Sequence, residues 1–163
     1  LRNHGRKDKY LHEKVGFNLR FNEIQAAIGR EQLKVLDDLN AGRRRAAEWY
    51  RRELNGVKSV VLPPDDKSGE AESVYHMFVI RLDDNDIRDA LAKALKEQGI
   101  ETGVHYPVPN HLQPAITELY GTPVSLPKTE DYVKRILSLP MFPSITEQEV
   151  KAVTDAIKAY LKR

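Results

Sequence analysis

Two polar residues, Asn18 and Arg20, stand at alternate positions just before a predicted helix, in the sequence GFNLRFNEIQAAIG. An amide and a guanidinium both donate hydrogen bonds, and a helix N-terminus adds unpaired backbone N–H groups and a partial positive charge. This combination is typical of an anion site, with phosphate as the ligand. The alternative interpretation is a turn-forming asparagine beside a solvated arginine. Because such spacing is common by chance, the residue types alone favour the alternative.

A second pair, His105 and Tyr106, lies at the end of a predicted strand, directly before Pro107. Both side chains can hydrogen-bond a ligand or move a proton, and the carboxyl end of a strand is a common place for a site. They could equally be a half-buried pair that anchors a loop, and both interpretations stay open. His76 lies among apolar residues, so we expect it to be a hydrogen-bonded core histidine. The five histidines show no metal-ligand spacing and there is no cysteine, so we predict no metal site.

The apolar pattern predicts the elements that must position these residues. Helical spacing of apolar side chains extends over residues 23–54, and Asn22 with Gln25 forms a capping box at its start. Gly29 and Gly42 weaken this helix, so we expect a bend or close packing at those positions. A loop rich in Pro, Asp and Gly is predicted at residues 63–72.

The strongest strand pattern covers residues 73–82, where alternation of apolar residues indicates that both faces are buried. Asp86 is the predicted N-cap of a helix that ends at Gly99, and Thr146 with Glu149 forms the capping box of the last helix. Shorter strands are predicted at residues 59–62, 100–104 and 137–139. Shorter helices are predicted at residues 112–119 and 128–136.

Strands separated by helices indicate an α/β (α+β) fold. We expect a two-layer sandwich, in which helices cover one face of a small, mainly antiparallel or mixed sheet and a long helix precedes it. The length of 163 residues is enough for one domain with a sizeable core and part of a second. The residue Leu1 and the polar opening predict a piece cut from a longer chain.

Composition excludes several classes of protein. With 26 basic and 24 acidic residues the net charge is only +2, which argues against a dedicated nucleic-acid-binding protein. No apolar run approaches the length that crosses a membrane, so we expect no membrane partner. The absence of cysteine excludes disulfides and thiolate chemistry and fits a location inside the cell.

A series of short segments matches one enzyme family in residue type and in order. These segments are LRNHG at 1–5, GFNLR at 16–20, EIQAA at 23–27, QL at 32–33, RR at 43–44, YH at 75–76, GIET at 99–102, HYP at 105–107, HLQP at 111–114 and LSLPMFP at 137–143. Together they resemble the DegT/DnrJ/StrS-type sugar aminotransferases, fold-type-I enzymes that use pyridoxal 5'-phosphate (PLP).

The resemblance implies roles for both residue pairs. In this family the asparagine that matches Asn18 reaches across a homodimer to the PLP phosphate of the partner subunit, and the arginine that matches Arg20 lies close by. The segment of His105 and Tyr106 lines the sugar-nucleotide side of the cleft. The resemblance therefore implies two shared active sites, with a nucleotide sugar and an amino-acid donor as substrates.

The family's Schiff-base lysine, the acid that pairs with the pyridinium nitrogen and the ring-stacking aromatic all lie upstream of residue 1. The resemblance thus implies that residues 1–21 connect to a large PLP-binding domain and that residues 22–163 form the small C-terminal domain. Because PLP chemistry needs that lysine, we expect no catalytic residue, no covalently bound PLP and no transaminase activity in this chain alone.

For the parent protein the resemblance implies a cytoplasmic transaminase that moves an amino group from an amino acid, expected to be glutamate, to a keto-sugar nucleotide. Its product would serve sugar, cell-envelope polysaccharide or antibiotic biosynthesis. Two alternatives stay open. One is a PLP-dependent sugar dehydratase of the same family that has lost the lysine. The other is a binding or dimerisation module without chemistry of its own.

Overall fold

The computed structural model describes residues 2–65, 72–121 and 124–162. Leu1 of the LRNHG segment and residues 66–71 of the predicted loop lie outside them. The chain divides into two compact units, Leu1–Asp38 and Leu39–Arg163. No helix in the described ranges combines the length and the apolar character needed to cross a membrane.

The first helix, α1 (Glu23–Leu33), begins with the predicted capping box. The Asn22 side chain accepts from the Gln25 amide at 2.8 Å, and the Gln25 side chain accepts from the Asn22 amide. The prediction of one continuous helix over residues 23–54 is wrong, because the chain turns at residues 34–35 before α2 (Leu36–Leu54) begins. The Lys34 and Val35 amides bond three residues back, which tightens the last turn and ends α1.

The second unit contains a three-stranded antiparallel sheet of β1 (Val60–Val61), β2 (Phe78–Leu82) and β3 (Ile136–Leu139), with β2 in the centre. The predicted α/β fold with a small antiparallel sheet is therefore confirmed. The strand predicted over residues 73–82 is too long, because Tyr75 has φ +44° and takes the chain out of extended geometry. Residues 100–104 are not a strand; only Gly103 pairs with β3, at Ser138.

Four further helices and one short 3-10 turn lie in the described part of the second unit. These elements are α3 (Asn85–Glu97), the 3-10 turn (Asn110–Leu112), α4 (Pro114–Tyr120), α5 (Pro127–Arg135) and α6 (Glu147–Leu161). The capping box of Thr146 and Glu149 is confirmed at the start of α6. The N-cap of α3 is Asp84 and not Asp86, because Asp84 has extended backbone and its carboxylate accepts from the Asp86 amide at 2.7 Å.

One apolar core joins α2, α3 and α6 to the sheet. Its fully buried large side chains are Tyr50, Leu54, Phe78, Ile80, Leu82, Leu91, Leu95, Leu137, Val150 and Ile157. Tyr50 of α2 stacks on Phe78 of β2 with ring centroids 4.9 Å apart, and its hydroxyl donates to the Pro140 carbonyl at 2.8 Å. On the second face of β2, the Arg81 guanidinium lies 4.2 Å from the centre of the Tyr132 ring of α5.

The two glycines of the helical stretch behave differently. A Cβ on Gly42 would lie 2.2 Å from the Pro143 carbonyl oxygen, so the predicted close packing is confirmed there. A Cβ on Gly29 would meet no atom of the described residues within 4 Å. Gly29 is therefore neither a packing site nor the point at which the helix breaks.

We predict that Gly42→Ala lowers the free energy of unfolding by about 1–3 kcal/mol, because the new methyl group overpacks the contact with Pro143. The control is Gly29→Ala, which gains helix propensity in open space and should leave the stability unchanged or raise it. Chemical denaturation followed by circular dichroism measures both. Equal denaturation midpoints for Gly42→Ala and the unsubstituted 163-residue chain would show that the contact between position 42 and Pro143 is loose.

Candidate cofactor and substrate sites

An antiparallel pairing in the first unit positions Asn18. The His4 amide donates to the Phe17 carbonyl at 2.9 Å, and the Leu19 amide donates to the Arg2 carbonyl at 3.0 Å. Asn3 and Asn18 are the residues paired between these two bonds. The segment that contains Asn18 is thus held by backbone hydrogen bonds rather than hanging free before α1.

Arg20 is held by the same pairing. Its Nε donates to the Asn3 side-chain oxygen at 3.0 Å, and a second guanidinium nitrogen contacts the same oxygen. Asn3 therefore lies opposite Asn18 in this pairing and hydrogen-bonds to Arg20 through its side chain. We call Asn3, Asn18 and Arg20 the donor cluster.

The donor cluster has the chemistry of an anion site. The side chains of Asn18 and Arg20 are exposed, and a guanidinium carries five N–H donors. Within the described residues the Arg20 guanidinium bonds to Asn3 alone, so several of its donors stay available. Helix α1 begins three residues after Arg20 and adds the positive end of its dipole. Amide and guanidinium donors of this kind suit a phosphate.

His105 lies in the second unit, against β3. Its Nδ1 is 2.9 Å from the Ser138 hydroxyl, and its Nε2 has no partner among the described residues. Tyr106 is 66% exposed, and its ring meets the His105 ring edge-on, with centroids 5.6 Å apart. Of the predicted substrate pair, His105 is therefore held by a hydrogen bond at one ring nitrogen, whereas Tyr106 faces solvent.

An open groove of about 350 Å³ runs beside His105. Its lining includes Glu101, Thr102, Ser138 and Met141. His76 also lines this groove and is exposed, so the prediction of a core histidine is wrong. The positive φ of the preceding Tyr75 places His76 outside the β2 ladder, which begins only at Phe78.

Sequence reasoning missed the partners of both site pairs. Asn3 belongs to the segment LRNHG but gave no local signal of its contact with Arg20. Ser138 did give one, since a hydroxyl between two leucines of a buried strand is unusual and demands a hydrogen-bond partner. Across the described ranges no group of three or more His, Asp or Glu side chains could hold a metal ion.

Comparisons with known proteins show the family of the chain. Residues 1–158 match the DegT/DnrJ/EryC1/StrS aminotransferase family. The erythromycin biosynthesis sensory transduction protein EryC1 of Saccharopolyspora erythraea is 40% identical over 98% of this chain. The dTDP-3-amino-3,4,6-trideoxy-alpha-D-glucose transaminase of Streptomyces venezuelae is 37% identical over 100% of it. The chain spans only 42% of the length of each of these two relatives.

Solved structures give the same result. The crystal structure of S. venezuelae DesV in complex with a ketimine intermediate matches with a TM-score of 0.86 and 37% sequence identity. The match covers 100% of this chain and 43% of the DesV chain. The structure of NtdA from Bacillus subtilis with bound cofactor PMP matches with a TM-score of 0.83 and 29% sequence identity. That match covers 99% of this chain and 38% of the NtdA chain. By sequence and by fold, the chain belongs to the DegT/DnrJ/EryC1/StrS aminotransferase family.

Proposed function

We propose that this chain is the C-terminal portion of a PLP-dependent transaminase that moves an amino group from glutamate to a keto-sugar nucleotide. Residues 1–21 would connect to the large domain, and residues 22–163 would form the small domain. The observation that carries the proposal is the donor cluster, which has phosphate-binding chemistry in a chain of this family. Relatives named as transaminases of dTDP- and UDP-linked sugars support the substrate class.

The residues of the donor cluster fit the phosphate of PLP. The Asn18 amide would donate to a phosphate oxygen, and the unused N–H groups of Arg20 would offset its negative charge. Asn3 would keep the Arg20 guanidinium oriented through the hydrogen bond at 3.0 Å. When bound, PLP supplies the electron sink that amino-group transfer requires. This chain would contribute contacts to the cofactor phosphate but not the Schiff-base lysine, so by itself it should be inactive.

We further propose that Asn18 serves the cofactor of the partner subunit in a homodimer. Apolar side chains beside Asn18 are exposed in the single chain: Phe17 by 65%, Leu19 by 64%, Phe21 by 76% and Ile24 by 74%. Several exposed apolar side chains in one short segment are typical of a region that another protein surface covers. A subunit contact here would bring Asn18 to the edge of the partner's cofactor site.

The groove beside His105 is the proposed nucleotide-sugar site. The open Nε2 of His105 and the exposed Tyr106 ring offer a hydrogen bond and an aromatic surface to a ligand. The aminated sugar would enter cell-envelope polysaccharide or antibiotic biosynthesis in the cytoplasm.

The reaction class is tested with the full-length protein, PLP, glutamate and a nucleotide keto-sugar. We expect an aminated sugar nucleotide and an equal amount of 2-oxoglutarate, measured by mass spectrometry. The 163-residue chain serves as the control and should form neither product. A dehydrated, unaminated sugar would instead identify a sugar dehydratase and would contradict the transaminase proposal.

A second prediction concerns the phosphate contact. Asn18→Ala in the full-length protein should weaken PLP binding about ten- to a hundredfold, because it removes one charge-assisted hydrogen bond worth about 1.5–3 kcal/mol. PLP affinity is measured by the change in cofactor absorbance on titration of the apoenzyme.

The matched control is Asn55→Ala, which removes an exposed asparagine from the turn after α2 in the other compact unit. This variant should bind PLP as the parent protein does. Equal PLP affinities for Asn18→Ala and Asn55→Ala would remove Asn18 from the cofactor site.

A further inference from the structure

We infer that Ser138 and Gly103 are positioning residues that fix the ring of His105 and place its proton on Nε2. His105 then presents a hydrogen-bond donor to an acceptor oxygen of the ligand in the groove. The inference rests on the proposed function for the identity of that ligand, a nucleotide sugar. The placement of the ring and its proton is a property of this chain alone.

The backbone holds Ser138 from both sides. Its amide donates to the Gly103 carbonyl at 2.7 Å, and its carbonyl accepts from the Gly103 amide at 3.1 Å. On its other side Ser138 is the register partner of Val79 in β2. Leu137 and Leu139 point into the core, so alternation places the Ser138 side chain on the opposite face of the sheet. The backbone position from which the Ser138 hydroxyl extends is therefore fixed.

Gly103 leaves the space that the His105 ring occupies. A Cβ on Gly103 would lie 2.7 Å from the Cε1 atom of His105, closer than real Cβ contacts. Gly103 is not among the glycines with positive φ, so its backbone would accept another residue. A larger residue at position 103 would therefore have to displace the imidazole ring from its present position.

The hydrogen bond between Ser138 and His105 determines the tautomer. Ser138 is only 6% exposed, and in the described part of the chain its hydroxyl has no hydrogen-bond partner besides His105 Nδ1. If Nδ1 were the donor, the hydroxyl proton would have no acceptor among the described residues, which costs free energy at a residue that is almost fully buried. The hydroxyl therefore donates to Nδ1, and the proton of the neutral ring lies on Nε2. Nε2 has no partner among the residues that the structure describes, so its N–H is open to a ligand.

The Nε2–H group of His105 can bind only certain atoms of the ligand. An imidazole N–H bonds to an acceptor oxygen, such as a sugar carbonyl or a phosphate oxygen of a nucleotide sugar. It would not accept a proton from a sugar hydroxyl while its own proton occupies Nε2. His76 and Glu101 line the same groove and are kept unchanged in the experiment below.

The test is a long-range ¹H–¹⁵N correlation spectrum of the [¹⁵N]histidine-labelled chain at a pH where the ring is neutral, with His105→Gln assigning the signal. We expect the Nε2–H form of His105 in the parent chain and in Ser138→Thr, which keeps a hydroxyl. Ser138→Ala should give a mixture of tautomers, and Ser144→Ala, at an exposed serine, should match the parent. The Nδ1–H form in the parent chain would overturn the inference without any variant.

Kinetics of the full-length enzyme separate the inference from the proposed function. Ser138→Ala should raise KM for the nucleotide sugar about fivefold, the equivalent of one neutral hydrogen bond, and leave KM for the amino donor unchanged. Ser138→Thr should restore the parent value. A raised KM in His105→Gln but not in Ser138→Ala overturns the positioning role alone. An unchanged KM in His105→Gln refutes the proposed substrate site itself.

Discussion

The second compact unit depends on the buried side chain of Tyr50. Its ring stacks on Phe78 of the central strand at 4.9 Å, and its hydroxyl donates to the Pro140 carbonyl just after β3 at 2.8 Å. One residue of α2 thus fixes both the middle of the sheet and the end of β3. Burial, and to a lesser extent the negative charge of Glu149, raises the pKa of Tyr50, so the hydroxyl keeps the proton that it donates. Because β3 is held there, Ser138, two residues earlier, is held as well.

Some features of the fold were predictable because they depend on residues close in sequence. The capping boxes at Asn22 and Thr146 each need only a partner three positions away, and both are present. The prediction of a strand over residues 73–82 was too long because a positive φ at Tyr75 interrupts the extended backbone, although the apolar alternation is continuous. The prediction that His76 is a core residue was wrong for the same reason. Asp84 and Asp86 are equally suitable N-cap residues by type, so the sequence does not distinguish them. The extended backbone at Asp84 makes it the N-cap.

The candidate site residues could be named from the sequence, but their hydrogen-bond partners could not. The bond between Arg20 and Asn3 spans 17 positions, and the one between His105 and Ser138 spans 33. No local periodicity reports contacts at such separations, which depend on the pairing of distant segments. The order of short segments along the chain did carry the family resemblance, and the match over residues 1–158 confirms it. Chemistry could therefore be assigned to residue types before the contacts that orient them were known.

The central claim is that Asn18 completes a cofactor site in the partner subunit, and mixing two inactive full-length variants tests it most directly. One variant carries Asn18→Ala, and the other lacks the upstream Schiff-base lysine. If Asn18 acts across the dimer, a mixed dimer places both defects in one active site and leaves the other whole, so the account predicts that transaminase activity partly returns after subunit exchange. If Asn18 acts within its own subunit, each site keeps one defect, and activity that stays at the level of the separate variants would contradict the account.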